Sequence, residues 1–256
     1  MNLKQKKIKV KIISYLINSI TIKDLLKNIL SYVKKKKSHY ICISNVHSCI
    51  ESFLNKNFKK AHNSADLALP DGRPIYWALK LLGKNRSQHL PGYLVTEKIC
   101  EISAKNKIKI GFYGSKKKIL NNLEKKLVKK FKNLNIVFKY SPPFTKLSDF
   151  QDAEIVQKIN KSNVKILFVC LGCPKQELWM YKHYNKINCT MIGIGAVVDF
   201  LSGNKKLPNK FFEFLGLAWL IRLINEPRRL FWRYFSTNIL FLILFFLQIS
   251  KIKKFD

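Results

Sequence analysis

Four stretches of the chain combine residue types that could do chemistry at short spacing. The first is SADLALPDGRPIYWALKLLG, from Ser64 to Gly83. Asp66 and Asp71 are the only acids between Glu51 and Glu97, and Asp71 lies between Pro70 and Gly72 at the mouth of a helix. A carboxylate there could take a proton from an incoming hydroxyl. Pro-Asp-Gly is also among the commonest turn sequences, and an Asp just before a helix caps it. Spacing alone favours that plainer turn role.

The second stretch is LGCPKQELWM, from Leu171 to Met180. Gly172 lets a ligand approach the backbone closely, Pro174 suits a first helical turn, and the free N–H groups of a new helix favour an anion. Gln176 and Glu177 in that turn could hold sugar hydroxyls; Glu177 could equally be a capping residue. The third, Gly111-Phe-Tyr-Gly114-Ser115, is a strand-to-helix junction that suits a nucleotide phosphate. It lacks both G-x-G-x-x-G and G-x-x-x-x-G-K-[ST], which argues against dinucleotide and P-loop binding. Since no Asp-x-Asp pair is present to hold a divalent metal, Arg and Lys must neutralise any diphosphate.

The fourth is a cluster of arginines. Four of the six in the chain, Arg222, Arg228, Arg229 and Arg233, fall within twelve residues, although Lys supplies nearly all other positive charge. On one continuous helix Arg222, Arg229 and Arg233 come within roughly 40° of each other, with Arg228 turned elsewhere. Pro227 could interrupt that register, but Arg229 and Arg233 stay at i, i+4 either way. The guanidinium fork grips phosphate bidentately, whereas Lys does not. A basic belt beside a membrane helix explains the cluster equally well. Cys170 and Cys173 form C-x-x-C, but no second pair stands at ligand spacing, and Pro174 makes a turn the better reading.

These residues need a frame to hold them. Residues 39–44, 107–113, 135–140, 164–171 and 189–194 are short, β-branched-rich runs bounded by Gly, Asn or Pro, and they predict strands, several buried on both faces. Amphipathic stretches at 21–37, 47–56, 73–82, 96–105, 115–132, 152–161 and 174–185 predict helices between them. Alternation of the two implies an α/β fold with a mostly parallel sheet and helices on both faces. Ligands of such sheets bind beyond the carboxyl ends of the strands, where the second and third stretches fall. Composition shifts near Leu207, dividing the chain into an α/β domain over 1–206 and a C-terminal appendage over 207–256. The appendage carries nine unbroken apolar residues, Ile239 to Leu247, closed by Lys251, Lys253 and Lys254. A span needs roughly 20. An interfacial or partly inserted helix is the expectation, and a buried core helix the alternative.

The chain has 256 residues, of which 47 % are hydrophobic, so disorder throughout is excluded. Lys and Arg number 48 against 15 acids, a formal charge of +33 that points to phosphates: nucleic acid, anionic lipid or a phosphorylated substrate. Lys is spread over the whole chain and no nucleic-acid motif is visible, so nucleic acid is the weaker reading. Six cysteines and no recognisable secretory signal indicate a reduced, cytoplasmic protein.

In this order, Asn45, ADLALPDGRPIYWA from Ala65, Pro91-Gly92, LGCPKQELW from Leu171, GIGAVVDFLSG from Gly193 and WLIRLINEPRRLFWRY from Trp219 resemble the WecG/TagA/CpsF family of bacterial glycosyltransferases over nearly the whole chain. The resemblance implies a Rossmann-like core and an appendage that meets the membrane. It implies inverting transfer of N-acetylmannosamine, or a related sugar, from UDP to a polyprenyl-diphosphate-linked acceptor, without an obligatory metal or any cofactor. It makes Asp71 the general base and Gln176 and Glu177 sugar contacts, and it sets Arg222, Arg229 and Arg233 over a diphosphate. Asn45, Gly72, Gly114 and Gly172 join them as substrate-binding residues. Three positions depart from the family pattern: His89 stands for an Arg, Leu94 for an acid and Ala218 for a Glu, changes that bear on donor and acceptor identity. The expected protein is peripheral to the cytoplasmic face of the inner or plasma membrane, with a UDP-sugar, a lipid-linked acceptor and an anionic membrane surface as partners and no nucleic acid. Its oligomeric state is open, a homo-oligomer included. A catalytically lapsed scaffold of the same fold is the remaining rival.

Overall fold

The computed structural model describes residues 8–35, 37–143, 145, 147–207 and 209–255, without the side chains of Lys210, Ala218, Arg222, Asn225, Arg229 and Arg233. In chain order the elements are β1 (Lys9–Ile12), β2 (Tyr15–Asn18), α1 (Ile22–Lys34), β3 (His39–Ser44), α2 (Val46–Leu54), α3 (Lys56–Asn63), β4 (Leu67–Pro70), α4 (Arg73–Leu81), α5 (Gly92–Lys105) and β5 (Lys109–Gly114). They continue with α6 (Lys117–Lys130), β6 (Asn135–Tyr140), α7 (Asp149–Lys161), β7 (Ile166–Cys170), α8 (Lys175–His183), β8 (Thr190–Gly193), α9 (Val197–Leu201), α10 (Lys210–Phe214), α11 (Ala218–Asn225) and α12 (Pro227–Ile249). Six strands run in the order β4-β3-β8-β7-β5-β6, and β1 pairs with β2 in a separate antiparallel hairpin. The α/β expectation is met.

The residues cluster into two units, one of 1–22, 43–91 and 208–256 and one of 23–42 and 92–207. The second unit holds most of the parallel sheet. His39 pairs with Thr190, Ile166 with Thr190, Ile110 with Ile166 and Lys109 with Asn135, all in parallel register. Both β7 (ILFVC) and β8 (TMIG) are buried at every residue, so both of their faces are covered. Helix α7 starts on a capping box in which Ser148 and Gln151 satisfy each other's backbone N–H. That cap sets its first turn three residues earlier than the apolar periodicity suggests.

The first unit is built from three separated pieces of chain. Its core gathers Ile12, Tyr15 and Ile17 of the hairpin, Cys49 and Ile50 of α2, Ala68 of β4, and Ile75, Ala78 and Leu79 of α4. Phe241, Leu244 and Phe245 of α12 complete it. Residues 208–256 cluster with 1–22 and 43–91. Gln248 fastens the far end of α12 to the hairpin: its Oε1 accepts from Ile13 N at 2.7 Å and its Nε2 donates to Lys11 O at 2.9 Å.

Helix α12 has two apolar faces. Phe241, Leu244 and Phe245 are buried in the unit's own core, whereas Trp232 (73 % exposed), Leu242 (65 %) and Phe246 (61 %) stand in the open. The buried-core alternative therefore holds for one face only. By length and composition the stretch Leu230–Ile249, mean hydropathy 1.7, is enough to cross a membrane.

Of the two readings of the arginines, the interrupted register holds. They do not ride on a single helix: Glu226 leaves the helical region (φ −141°, ψ 58°) and Pro227 opens a new one, so Arg222 is on α11 while Arg229 and Arg233 sit at i, i+4 on α12. A proline lacks the N–H that would continue the preceding helix, which is why the register breaks there. The side chains of Arg222, Arg229 and Arg233 lie outside the described residues.

Candidate active site

In the first unit the ends of β3 and β4 are tied together. Asp71 N–H donates to Ser44 O at 2.9 Å, and Leu90 N–H donates to Pro70 O at 2.9 Å. Asp71, half-buried, is thereby fixed one residue beyond the strand. It is not the helix cap: Gly72 holds that position at φ 80°, with no side-chain cap, and the backbone conformation there is one an L side chain resists. Asn45 caps α2 instead. Its Oδ1 accepts from Ser48 N–H at 3.1 Å, Ser48 Oγ accepts from Asn45 N–H at 2.8 Å, and Asn45 Nδ2 makes no hydrogen bond to a described residue. A Cβ on Gly72 would stand 3.9 Å from Asn45 Cβ, so Asn45, Gly72 and Asp71 form one cluster.

Beneath this cluster lies a buried polar layer. His62 Nε2 is 2.7 Å from Ser44 Oγ, and its ring lies 4.9 Å from that of Tyr15. Burial pulls the His62 imidazole down to about 4, so the ring is neutral at physiological pH. Burial pushes the Tyr15 phenol well up, with Cys49 and then the Asp71 charge adding to it. The groups of this layer, His62 and Tyr15, are thus neutral.

The second unit holds the glycine-rich junctions. Gly172, at φ 79°, donates its N–H to Gln176 Oε1 at 3.2 Å, and Gln176 Nε2 donates to Glu177 Oε1 at 2.8 Å. A Cβ on Gly193 would come within 3.0 Å of Gln176 Nε2, and one on Gly195 within 3.4 Å of Gln176 Oε1. Gln176 is therefore a wedge between the loops that follow β7 and β8. It is 4 % exposed and Glu177 1 %. A capping box through Glu177 is impossible, because the cap residue of α8 is Pro174, which has no N–H. Gly114, at φ 110°, is pressed against backbone: a Cβ would sit 2.7 Å from Cys170 C, whereas around Gly172 there is open space. The Cys170 thiol is buried, and burial, then the Asp199 charge, hold it protonated above the ordinary range, so Cys170 is no ready thiolate. Among the described residues no three of His, Cys, Asp and Glu gather as a metal site requires.

With this geometry in place, comparison with known proteins is decisive: residues 10–254 match the model of the glycosyl transferase WecG/TagA/CpsF family. The chain belongs to that family. It is a glycosyltransferase. Among relatives, it is 28 % identical over 204 residues, 79 % of this chain and 77 % of the relative, to an N-acetylglucosaminyldiphosphoundecaprenol N-acetyl-beta-D-mannosaminyltransferase of Bacillus spizizenii. Proteins of the same name in Bacillus subtilis (28 % over 79 % of this chain and 80 % of the relative) and Staphylococcus aureus (21 % over 87 % of each) are also similar.

Two clusters escaped sequence reasoning in this family member. Arg73, the first residue of α4, donates from Nε to Glu213 O at 3.3 Å, and its guanidinium lies 5.7 Å from the Tyr76 ring and 5.1 Å from that of Phe214. His89 Nδ1 is 3.8 Å from Glu213 Oε1, with its ring 6.2 Å from Tyr76; burial, and then the Arg73 charge, lower that imidazole to about 4. The signal for Arg73 was its type, since it and Arg86 are the only arginines before Arg222. In the second unit Asp152 accepts from Trp179 Nε1 at 3.1 Å and Lys182 Nζ at 2.7 Å, and lies 3.0 Å from His183 Nε2. This network ties α7 to α8, the helix that carries Gln176 and Glu177; contacts between residues about thirty apart leave no local signature.

Proposed function

We propose that the chain transfers an N-acetylmannosamine-type sugar from a UDP-sugar, with inversion at the anomeric carbon, to an N-acetylglucosamine unit carried on a polyprenyl diphosphate. The names of the relatives support the sugar and the acceptor. The observation that carries the reading is Asp71, a half-buried carboxylate held at the end of β4 by its own N–H bond to Ser44.

In this reading Asp71 takes the proton of an acceptor hydroxyl as that oxygen attacks the anomeric carbon from the face opposite the nucleotide. The bond from the anomeric carbon to the UDP oxygen breaks, and its electron pair leaves with the diphosphate. Asn45 has given its Oδ1 to the α2 cap, so its Nδ2 is the group left to donate to substrate. Gly72 and Gly172 keep backbone accessible, and Gly114 shapes the β5 turn. Gln176 and Glu177 hold the loops after β7 and β8 in the form the sugar needs. Arg222, Arg229 and Arg233 stabilise the departing charge, work that other transferases give to a cation, so no metal ion and no cofactor enters the scheme.

The open face of α12 suits an anionic membrane surface at the cytoplasmic side, where a lipid-linked acceptor must be met. Its other face is committed to the protein core, which favours lying at the interface over crossing it. Each well-placed Lys or Arg adds about 1 kcal/mol of attraction. Mass spectrometry of products from a panel of UDP-sugars and a short-chain lipid-diphosphate acceptor tests the proposal. The expected product is the acceptor plus one N-acetylhexosamine, with release of UDP; a full-length protein that consumes no member of the panel overturns it.

A further inference from the structure

The guanidinium of Arg73 is held but not used up. Its Nε donates to Glu213 O at 3.3 Å, and the rings of Tyr76 and Phe214 lie 5.7 and 5.1 Å from it. Neither Nη nitrogen makes a hydrogen bond to a described residue, and no carboxylate forms an ion pair with it among them. Nearby His89 is neutral at physiological pH and carries no competing charge. Arg73 stands two residues after Asp71 and is only half-buried. Two aromatic contacts and a backbone carbonyl fix the plane of a fork whose outer edge still has four N–H donors to give.

Lysine would serve for charge alone, and this chain uses lysine almost everywhere: of 48 basic residues only six are arginine. A planar guanidinium is required where two oxygens of one anion are taken side by side. We infer that Arg73 binds a diphosphate through its two Nη nitrogens, an assignment that rests on the transferase reading above. Both substrates of that reaction carry a diphosphate, the nucleotide of the donor and the lipid head of the acceptor. In either case the anion lies within reach of the loop that holds Asp71, on the side of α4 where the chain returns as α10.

Titration of the full chain with inorganic pyrophosphate, followed by steady-state transfer with each substrate varied in turn, tests this on Arg73→Gln and Arg73→Lys. Charge-assisted bonds of this kind make a loss of tenfold or more the expected result for Arg73→Gln. Arg73→Lys should recover only part of it. A rise in KM for the UDP-sugar alone assigns the donor diphosphate, and a rise for the lipid acceptor alone assigns the acceptor. Phe214→Ala removes one of the ring contacts on α10 and keeps the guanidinium; it should cost part of the pyrophosphate affinity, and less than Arg73→Gln does. If Arg73→Gln leaves both KM values and pyrophosphate binding unchanged while the parent protein transfers sugar, Arg73 is only a clamp for α10 and the inference falls while the transferase reading stands. It falls in the same way if Phe214→Ala reproduces the full loss. A parent protein that transfers no sugar removes both.

Discussion

The N–H of Asp71 donates to the carbonyl oxygen of Ser44 at 2.9 Å, so the carboxylate proposed to act as base is anchored by its own backbone to the neighbouring strand. The anchor does not involve the side chain. Asp71→Asn should therefore fold like the parent and lower kcat by about 10²–10⁴ in a radiolabelled-sugar transfer assay, the usual worth of a general base. Near-parental turnover would remove Asp71 from that role.

Two glycines of the strand-end turns should differ in cost. At Gly114 an added methyl meets the backbone of Cys170 at 2.7 Å with φ at 110°, so Gly114→Ala is expected to destabilise by about 2–4 kcal/mol in denaturant unfolding. At Gly172 nothing lies within 4 Å, and only the positive φ of 79° opposes the change, which should cost about 1–2 kcal/mol. The reverse order would show that these turns are built differently.

Acid should loosen the tie between α7 and α8. Burial alone would raise the Asp152 carboxyl, but the Lys182 hydrogen bond, the His183 charge and the Trp179 N–H outweigh it and hold the group below the ordinary range. A carboxyl depressed in the folded state contributes stability above its unfolded value, about 3.9, and loses it as pH falls through the folded one. The Tm gap between the parent and Asp152→Asn should be full above about pH 4 and close below it; a gap independent of pH refutes the charge assignment.

The two faces of α12 should separate anchoring from folding. Phe245→Ala cuts into the core of the first unit and is expected to cost about 3–5 kcal/mol. The double change Leu242→Ser with Phe246→Ser touches only exposed positions, so stability should move by about 0.5 kcal/mol per site while sedimentation with anionic vesicles is lost. Retained sedimentation would place the membrane contact elsewhere. Deleting everything from Phe235 onward is the poorer test, because it also removes Phe241, Leu244 and Phe245 from the core.

Turnover is expected to survive excess EDTA, since the scheme gives the leaving charge to guanidinium groups. Activity lost to EDTA and restored by a divalent cation would bring a metal into the reaction.

The strands of the parallel sheet were legible because burial on both faces writes unbroken apolar runs such as ILFVC. The hairpin was not: KVKI and YLIN are four residues each, too short for alternation to stand out among lysines. Strand β4 hid inside LALPDG, where the turn residues around Asp71 give the stronger local signal. The turn chemistry that exposed Asp71, Gly172 and Gln176 is local and survives in sequence. Arg73 and Glu213 are 140 residues apart and leave no periodic trace, whereas the break before α12 was announced by Pro227.

The bond from Gln248 to the hairpin also orders the events of synthesis. Residues 23–42 and 92–207 have all emerged from the ribosome before α12 exists, so that unit can close while translation continues. The core of the first unit stays incomplete for longer: Ile12, Tyr15 and Ile17 can pack on α2, β4 and α4, but Phe241, Leu244 and Phe245 arrive last. A nascent chain stalled before residue 241 should bind holdase chaperones through its earliest segment.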